Sequence, residues 1–78
     1  MKAYILMNTK PGTSEEVVNE IRTMREVKGI CMADSVYGRY DAVVVIEFDA
    51  LSELMETVYK VIENEPNITR TETLISLF

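Results

Sequence analysis

Histidine and tryptophan are absent from this 78-residue sequence, and cysteine occurs once. Without histidine the chain lacks the commonest general base at neutral pH and the commonest neutral metal ligand. Ser-His-Asp and Cys-His catalysis are therefore excluded within one chain. A single cysteine excludes an intrachain disulfide framework and an iron–sulfur electron carrier, whose cluster takes about four thiolates. With three glycines and two prolines, the chain is neither collagen-like nor a linker. Basic residues are few and scattered (Lys2, Lys10, Arg22, Arg25, Lys28, Arg39, Lys60, Arg70), and the net charge is −5. That balance disfavours nucleic acid, whose affinity rests on Lys and Arg neutralising phosphates. No apolar run approaches the ~20 residues that cross a bilayer. The stretch Met1–Met7 is broken by Asn8-Thr9-Lys10-Pro11, with no small-residue cleavage site, so no signal peptide is expected. What is present, 47% hydrophobic and 27% charged residues, is ordinary globular usage. One small soluble domain in the cytoplasm is expected, residues 1–78, without a metal or cofactor.

Along the chain, residues 2–9 read as a strand. Tyr4-Ile5-Leu6-Met7 is too short an apolar run for a helix, and Lys10-Pro11-Gly12 closes it. Thr13-Ser14-Glu15-Glu16 has the form of a capping box. Val17, Val18, Ile21 and Met24 then mark one helical face, with Glu16, Glu20 and Arg25 off it and Gly29 as the stop. Residues 30–38 read as a second strand with Ile30, Met32 and Val36 on one side and Asp34 as the exception. Gly38-Arg39-Tyr40-Asp41 interrupts it. The β-branched run Val43-Val44-Val45-Ile46 sets a third strand at 42–48. Asp49 is a candidate N-cap for a second helix with the stripe Leu51, Leu54, Met55, Val58, Val61 and Ile62. Asn64-Glu65-Pro66-Asn67 ends that helix. The last strand, 68–78, alternates, with Thr69, Thr71, Thr73, Ile75 and Leu77 on one side and Ile68, Arg70, Glu72, Leu74 and Phe78 on the other.

The order β-α-β-β-α-β predicts a ferredoxin-like α+β fold, a four-stranded antiparallel sheet with both helices on one face. The two halves share a layout: Glu16-Val17-Val18 is echoed by Glu53-Leu54-Met55, and Ile21 by Val58. Strand 1 is apolar on both sides (Tyr4 and Leu6 against Ile5 and Met7), and so is strand 3. Two helices cover one face only, so the pattern predicts face-to-face dimerisation.

Two segments stand out. Tyr37-Gly38-Arg39-Tyr40-Asp41 brings two rings, a guanidinium and a carboxylate into five residues. It reads either as a solvated hairpin turn or as a ligand loop. In the second reading backbone amides beside Gly38 hold a carboxylate and Asp41 holds an ammonium. Thr71-Glu72-Thr73 reads as plain β-propensity or as two hydroxyls, Thr71 and Thr73, lining a pocket. Cys31 reads as a small buried apolar residue. The acidic pairs Glu16/Glu20 and Glu53/Glu56 read as solvated helix faces.

Taken together, the Pro11-Gly12 turn, the Gly38-Arg39-Tyr40-Asp41 stretch and the Thr71-Glu72-Thr73 strand resemble, in that order and across essentially the whole chain, the RAM (regulation of amino acid metabolism) domain of the leucine-responsive regulatory protein/AsnC family. Full-length members add an N-terminal helix-turn-helix, so the resemblance implies a stand-alone RAM module without a DNA-binding domain. It implies dimers that pair through their sheets and assemble further, up to octameric rings, with an amino-acid effector between dimers. Carried over, Gly38, Arg39, Tyr40 and Asp41 would hold the effector's α-amino and α-carboxylate groups, and Thr71 and Thr73 of a neighbouring chain would close the site. Tyr59 or Met55 would select the effector side chain.

The implied function is non-enzymatic effector binding, exerted by co-assembly with full-length relatives or by binding an enzyme. The alternative is a small dimeric α+β-barrel enzyme of the cofactor-free monooxygenase or isomerase type, which shares the element order.

Overall fold

The computed structural model describes residues 1–24 and 27–78. The elements follow the expected order: β1 (Lys2–Thr9), α1 (Ser14–Arg22), β2 (Ile30–Ser35), β3 (Ala42–Glu47), α2 (Leu51–Asn64) and β4 (Ile68–Ile75). The sheet runs β2-β3-β1-β4, antiparallel at every pairing. Consecutive side chains of a strand point to opposite faces, so register alone sorts them. Ala3, Ile5 and Met7 lie opposite Ile46, Val44 and Ala42, and both helices pack on that side. Val17, Val18 and Ile21 of α1 and Leu54 and Val61 of α2 complete the core. No helix among the described residues is long and apolar enough to cross a membrane.

The other face carries Tyr4, Leu6, Val43, Val45, Met32 and Leu74. Among the described residues no helix packs on it. Met32 and Leu74 are exposed, and Tyr4, Leu6 and Val43 are half-buried only by their neighbours.

Several local expectations are corrected. Helix α1 ends at Arg22, where Thr23 turns back and its hydroxyl donates to the Glu20 carbonyl. Gly29 is therefore not its stop, and the placement of Arg25 falls outside the described residues. The Thr13 capping box does not form, because the Thr13 hydroxyl donates to the Lys10 carbonyl instead. In α2 the cap is Ala50 rather than Asp49, and the Glu53 carboxylate accepts the Ala50 N–H. The α2 stripe is narrower than the sequence suggests. Leu54, Thr57 and Val61 are buried, whereas Leu51, Met55 and Ile62 are exposed beside Tyr59. Strands β2 and β4 end earlier than expected, at Ser35 and Ile75. A register shift at the Thr9 end of β1 places Ile68 opposite Thr9, on the helix side, where it packs against the core. Cys31 is exposed rather than buried, because the β2–β3 register shifts between Ile30 and Met32 and turns it out of the core.

Candidate functional site

The segment between β2 and β3 is tied down at its base and open at its tip. At the base, the Val36 N–H donates to the Asp41 carbonyl (2.9 Å) and the Asp41 N–H to the Met7 carbonyl (2.8 Å). The second bond extends the β1–β3 ladder one step beyond its last paired residues, Met7 and Ala42. The next donor on that edge of β1 is the Thr9 N–H, and β3 offers it no carbonyl. The Asp41 carboxylate takes that place: its Oδ2 accepts the Thr9 N–H at 2.8 Å. Thr9 is buried, so an unmet donor there would be costly.

At the tip, Tyr37 is fully exposed, and a Cβ built on Gly38 would meet nothing within 4 Å. Gly38 has φ +152°, a value that side chains of L-residues rarely adopt. Arg39 is exposed. Tyr40 then folds across the sheet end to β4, where its hydroxyl donates to Glu72 Oε1 at 2.5 Å. That bond to a carboxylate, helped by the carboxylate's charge, raises the Tyr40 phenol above its ordinary range. Arg70 and Arg39 lie close enough to oppose the shift.

Of the residues expected to form a site, Gly38, Arg39, Tyr40 and Asp41 are brought together. Thr71 and Thr73 are not joined to them within one protomer. They lie opposite Met7 and Ile5, on the helix side of the sheet, whereas Glu72 between them lies opposite Leu6 on the open side, where Tyr40 meets it. The alternation along the last strand sets Glu72 on the side opposite Thr71 and Thr73, as found, but nothing in the sequence marks it as the partner of Tyr40. Thr9 carried no signal, since its role is a backbone N–H.

A second concavity lies elsewhere. A cavity of about 330 Å3 is bounded by Lys28, Glu47, Phe48, Glu53, Thr57 and Lys60, between α2 and the approach to β2. Two of its charges are already engaged, Lys60 with Glu56 (3.0 Å) and Glu53 with the α2 cap. Among the described residues no group of three or more acidic or thiol side chains is placed to hold a metal ion.

Comparison with known proteins adds the following. The family model described as the Lrp/AsnC ligand binding domain matches residues 2–77. The hypothetical protein PHS023 from Pyrococcus horikoshii is 35% identical over 99% of this chain and 89% of its own, with a TM-score of 0.83. FFRP-DM1 is 36% identical over 97% of each chain, with a TM-score of 0.82. The transcriptional regulator NMB0573 of Neisseria meningitidis, solved as a complex with L-Met, matches at 13% identity over 99% of this chain and 49% of its own (TM-score 0.78), a likeness of fold alone. No match was found among curated proteins.

Proposed function

The chain belongs to the Lrp/AsnC ligand-binding-domain family, and from that premise we propose that it is an amino-acid-binding regulatory module that works through assembly. The Gly38–Asp41 loop receives the α-amino and α-carboxylate groups of the effector. The carboxylate is taken by backbone N–H groups beside Gly38 and by Arg39. The ammonium is taken by the Asp41 carboxylate oxygen that does not face Thr9. Thr71 and Thr73 of a neighbouring chain close the site, because within one protomer they lie on the far side of the sheet.

The observation that carries this reading is the contrast within one loop. Its base is fixed by four hydrogen bonds, to Met7, Thr9, Val36 and Glu72, while Tyr37, Gly38 and Arg39 stand free. A rigid base under an exposed, charged tip is what a preorganised polar contact site requires. Amino acids are the favoured effector class because a fold relative was solved with L-Met.

The module itself performs no catalysis. Its open sheet face pairs with the same face of a second copy, and larger assemblies with full-length regulators or with an enzyme transmit the effector's presence. The test is a thermal-shift screen of the twenty amino acids followed by calorimetry. A ligand at a hundredfold excess over its Kd adds about 2.7 kcal/mol to stability, which a domain this small reports as several degrees. No shift with any amino acid would overturn the effector reading.

A further inference from the structure

The Gly38–Asp41 loop shares its end of the sheet with a residue the effector reading leaves out. Asn8 and Arg70 lie opposite each other on β1 and β4, one step beyond Leu6 and Glu72. Arg70 therefore stands on the open face with Glu72, two residues away on the same strand, their Cα atoms about 6.8 Å apart. The Tyr40 hydroxyl reaches Glu72 from the loop, which brings the loop within a side chain's length of Arg70. The charges of Arg70 and Arg39 both act on the Tyr40 phenol, so two guanidiniums gather around that ring.

Neither guanidinium has a partner in the protomer. Among the described residues the ion pairs are Arg22–Asp34 and Lys60–Glu56. The guanidinium that donates hydrogen bonds among them is that of Arg22. The acid nearest to Arg70 on its own strand, Glu72, gives Oε1 to Tyr40 instead. In a chain of net charge −5, two unpaired arginines beside one loop are a local reversal of sign. The acids here are each half engaged: Asp41 through Oδ2 to Thr9, Glu72 through Oε1 to Tyr40.

The chemistry of Arg70 limits what it can read. A guanidinium has five N–H donors and no acceptor, so it takes oxygen acceptors and rejects an ammonium. With five donors it can serve the second oxygen of Glu72 along one edge and a ligand oxygen along another. A carboxylate gains most from it, because both partners are charged and the contact can be bidentate. An aliphatic ligand side chain would take water from the guanidinium and return no hydrogen bond.

We propose that Arg70 reads the side chain of the effector, and that the effector is an α-amino dicarboxylic acid, aspartate or glutamate. Arg39 and the backbone beside Gly38 hold its α-carboxylate, Asp41 its ammonium and Arg70 its side-chain carboxylate. Two arginines then meet two carboxylates, and one acid meets one ammonium. This class narrows the effector reading given above and rests on it.

Calorimetric titrations with L-aspartate, L-glutamate, their two carboxamides and L-leucine test it. One of the two acids should bind about tenfold to a hundredfold more tightly than its own carboxamide, which keeps the shape and loses the charge. Arg70→Gln, a change at an exposed position, should bring that acid down to the affinity of its carboxamide. Arg70→Lys should restore part of the difference. A further measurement needs no variant: added salt should weaken the acid more than the carboxamide. Binding of a carboxamide or of leucine as tightly as the acids, or an Arg70→Gln variant that keeps the preference, would overturn this inference and leave the effector reading standing. Binding of no amino acid at all would overturn both.

Discussion

The carboxylate of Asp41 accepts the backbone N–H of Thr9 at 2.8 Å, across a separation of 32 residues. It fills the position that the next carbonyl of β3 would occupy had the strand gone on. Asp41 is thus a ladder member by its side chain, and under the proposed function one oxygen serves the fold while the other serves the effector. Asp41→Ala should cost about 1–3 kcal/mol, the penalty of a buried donor left without an acceptor. Asp41→Asn keeps an acceptor for Thr9 and should hold the melting temperature within a few degrees, while losing the charge offered to an ammonium. Amino-acid affinity should then fall by about tenfold to a hundredfold. Calorimetric titration of the Asn variant with the best amino acid from the screen, beside melting curves of both variants, separates the two oxygens' roles. Equal affinity in a folded Asn variant would return Asp41 to a purely structural role.

Glu65 is a buried acid at the same end of the sheet, where the Ile68 N–H donates to its carbonyl and Ile68 lies opposite Thr9. It sits just past α2, 3% exposed, and is absent from both ion pairs found among the described residues. Burial, then the neighbouring carboxyl of Glu20 with its hydrogen bond and charge, raises its pKa from 4.5 to about 7. Glu16 adds to the same effect. A raised native pKa means that the folded state holds a proton the unfolded chain has released. Stability from this group is full below about pH 4.5 and declines as the pH climbs to about 7, by at most about 3 kcal/mol. Denaturant titrations at several pH values should show Glu65→Gln gaining on the unaltered protein across that window and the two curves running parallel above it. Glu20→Gln should shift the window to lower pH. A constant offset between Glu65→Gln and the unaltered protein from pH 4.5 to 7 would contradict the assignment.

Gly29 and Gly12 both have positive φ, +89° and +80°, yet their surroundings differ. A Cβ on Gly29 would lie 2.5 Å from the Glu47 carbonyl oxygen, and that strand cannot withdraw because the Glu47 N–H donates to the Gly29 carbonyl at 2.8 Å. A Cβ on Gly12 would meet nothing within 4 Å. Gly12→Ala should therefore cost only the backbone conformation, about 1 kcal/mol. Gly29→Ala adds a steric clash with backbone and should cost at least about twice as much. Comparable losses in melting temperature would show that β2 can slide away from β3 at this point.

The order of elements was legible because each strand and helix announced itself locally, through the β-branched run Val43–Ile46, the spacing of Val17, Val18 and Ile21, and Pro66 after α2. Even the apolar open face could be read, since Tyr4 and Leu6 alternate with Ile5 and Met7. What escaped were features set by a partner far along the chain. Cys31 looked like a core residue, but a register shift against β3 turned it outward. Ile68 changed face for the same reason at the β1–β4 junction. The influence of Glu20 on Glu65 joins a helix face to a turn 45 positions away, and neither residue is unusual in its own neighbourhood. In the candidate loop the residues could be listed from the sequence, but not that Tyr40 is pinned by Glu72 or Asp41 by Thr9.

The open sheet face yields the last prediction. Leu6 lies at its centre, flanked by Val43 on β3 and Glu72 on β4. It is half-buried by its own protomer and, in the proposed face-to-face dimer, buried wholly by the partner. Leu6→Lys leaves the helix-side core untouched, because the side chain points away from it, and the lysine stem can lie along the sheet with its charge in water. In a dimer the same charge would be carried between two apposed sheets, where the acid across the strand from it, Glu72, is already engaged by Tyr40, and it would lose the water that solvates it in the monomer. Leu6→Lys should keep its circular dichroism spectrum while its solution mass falls by at least half. A folded Leu6→Lys variant with the mass of the unaltered protein would show that the apolar face is left to solvent, and that assembly proceeds through other surfaces.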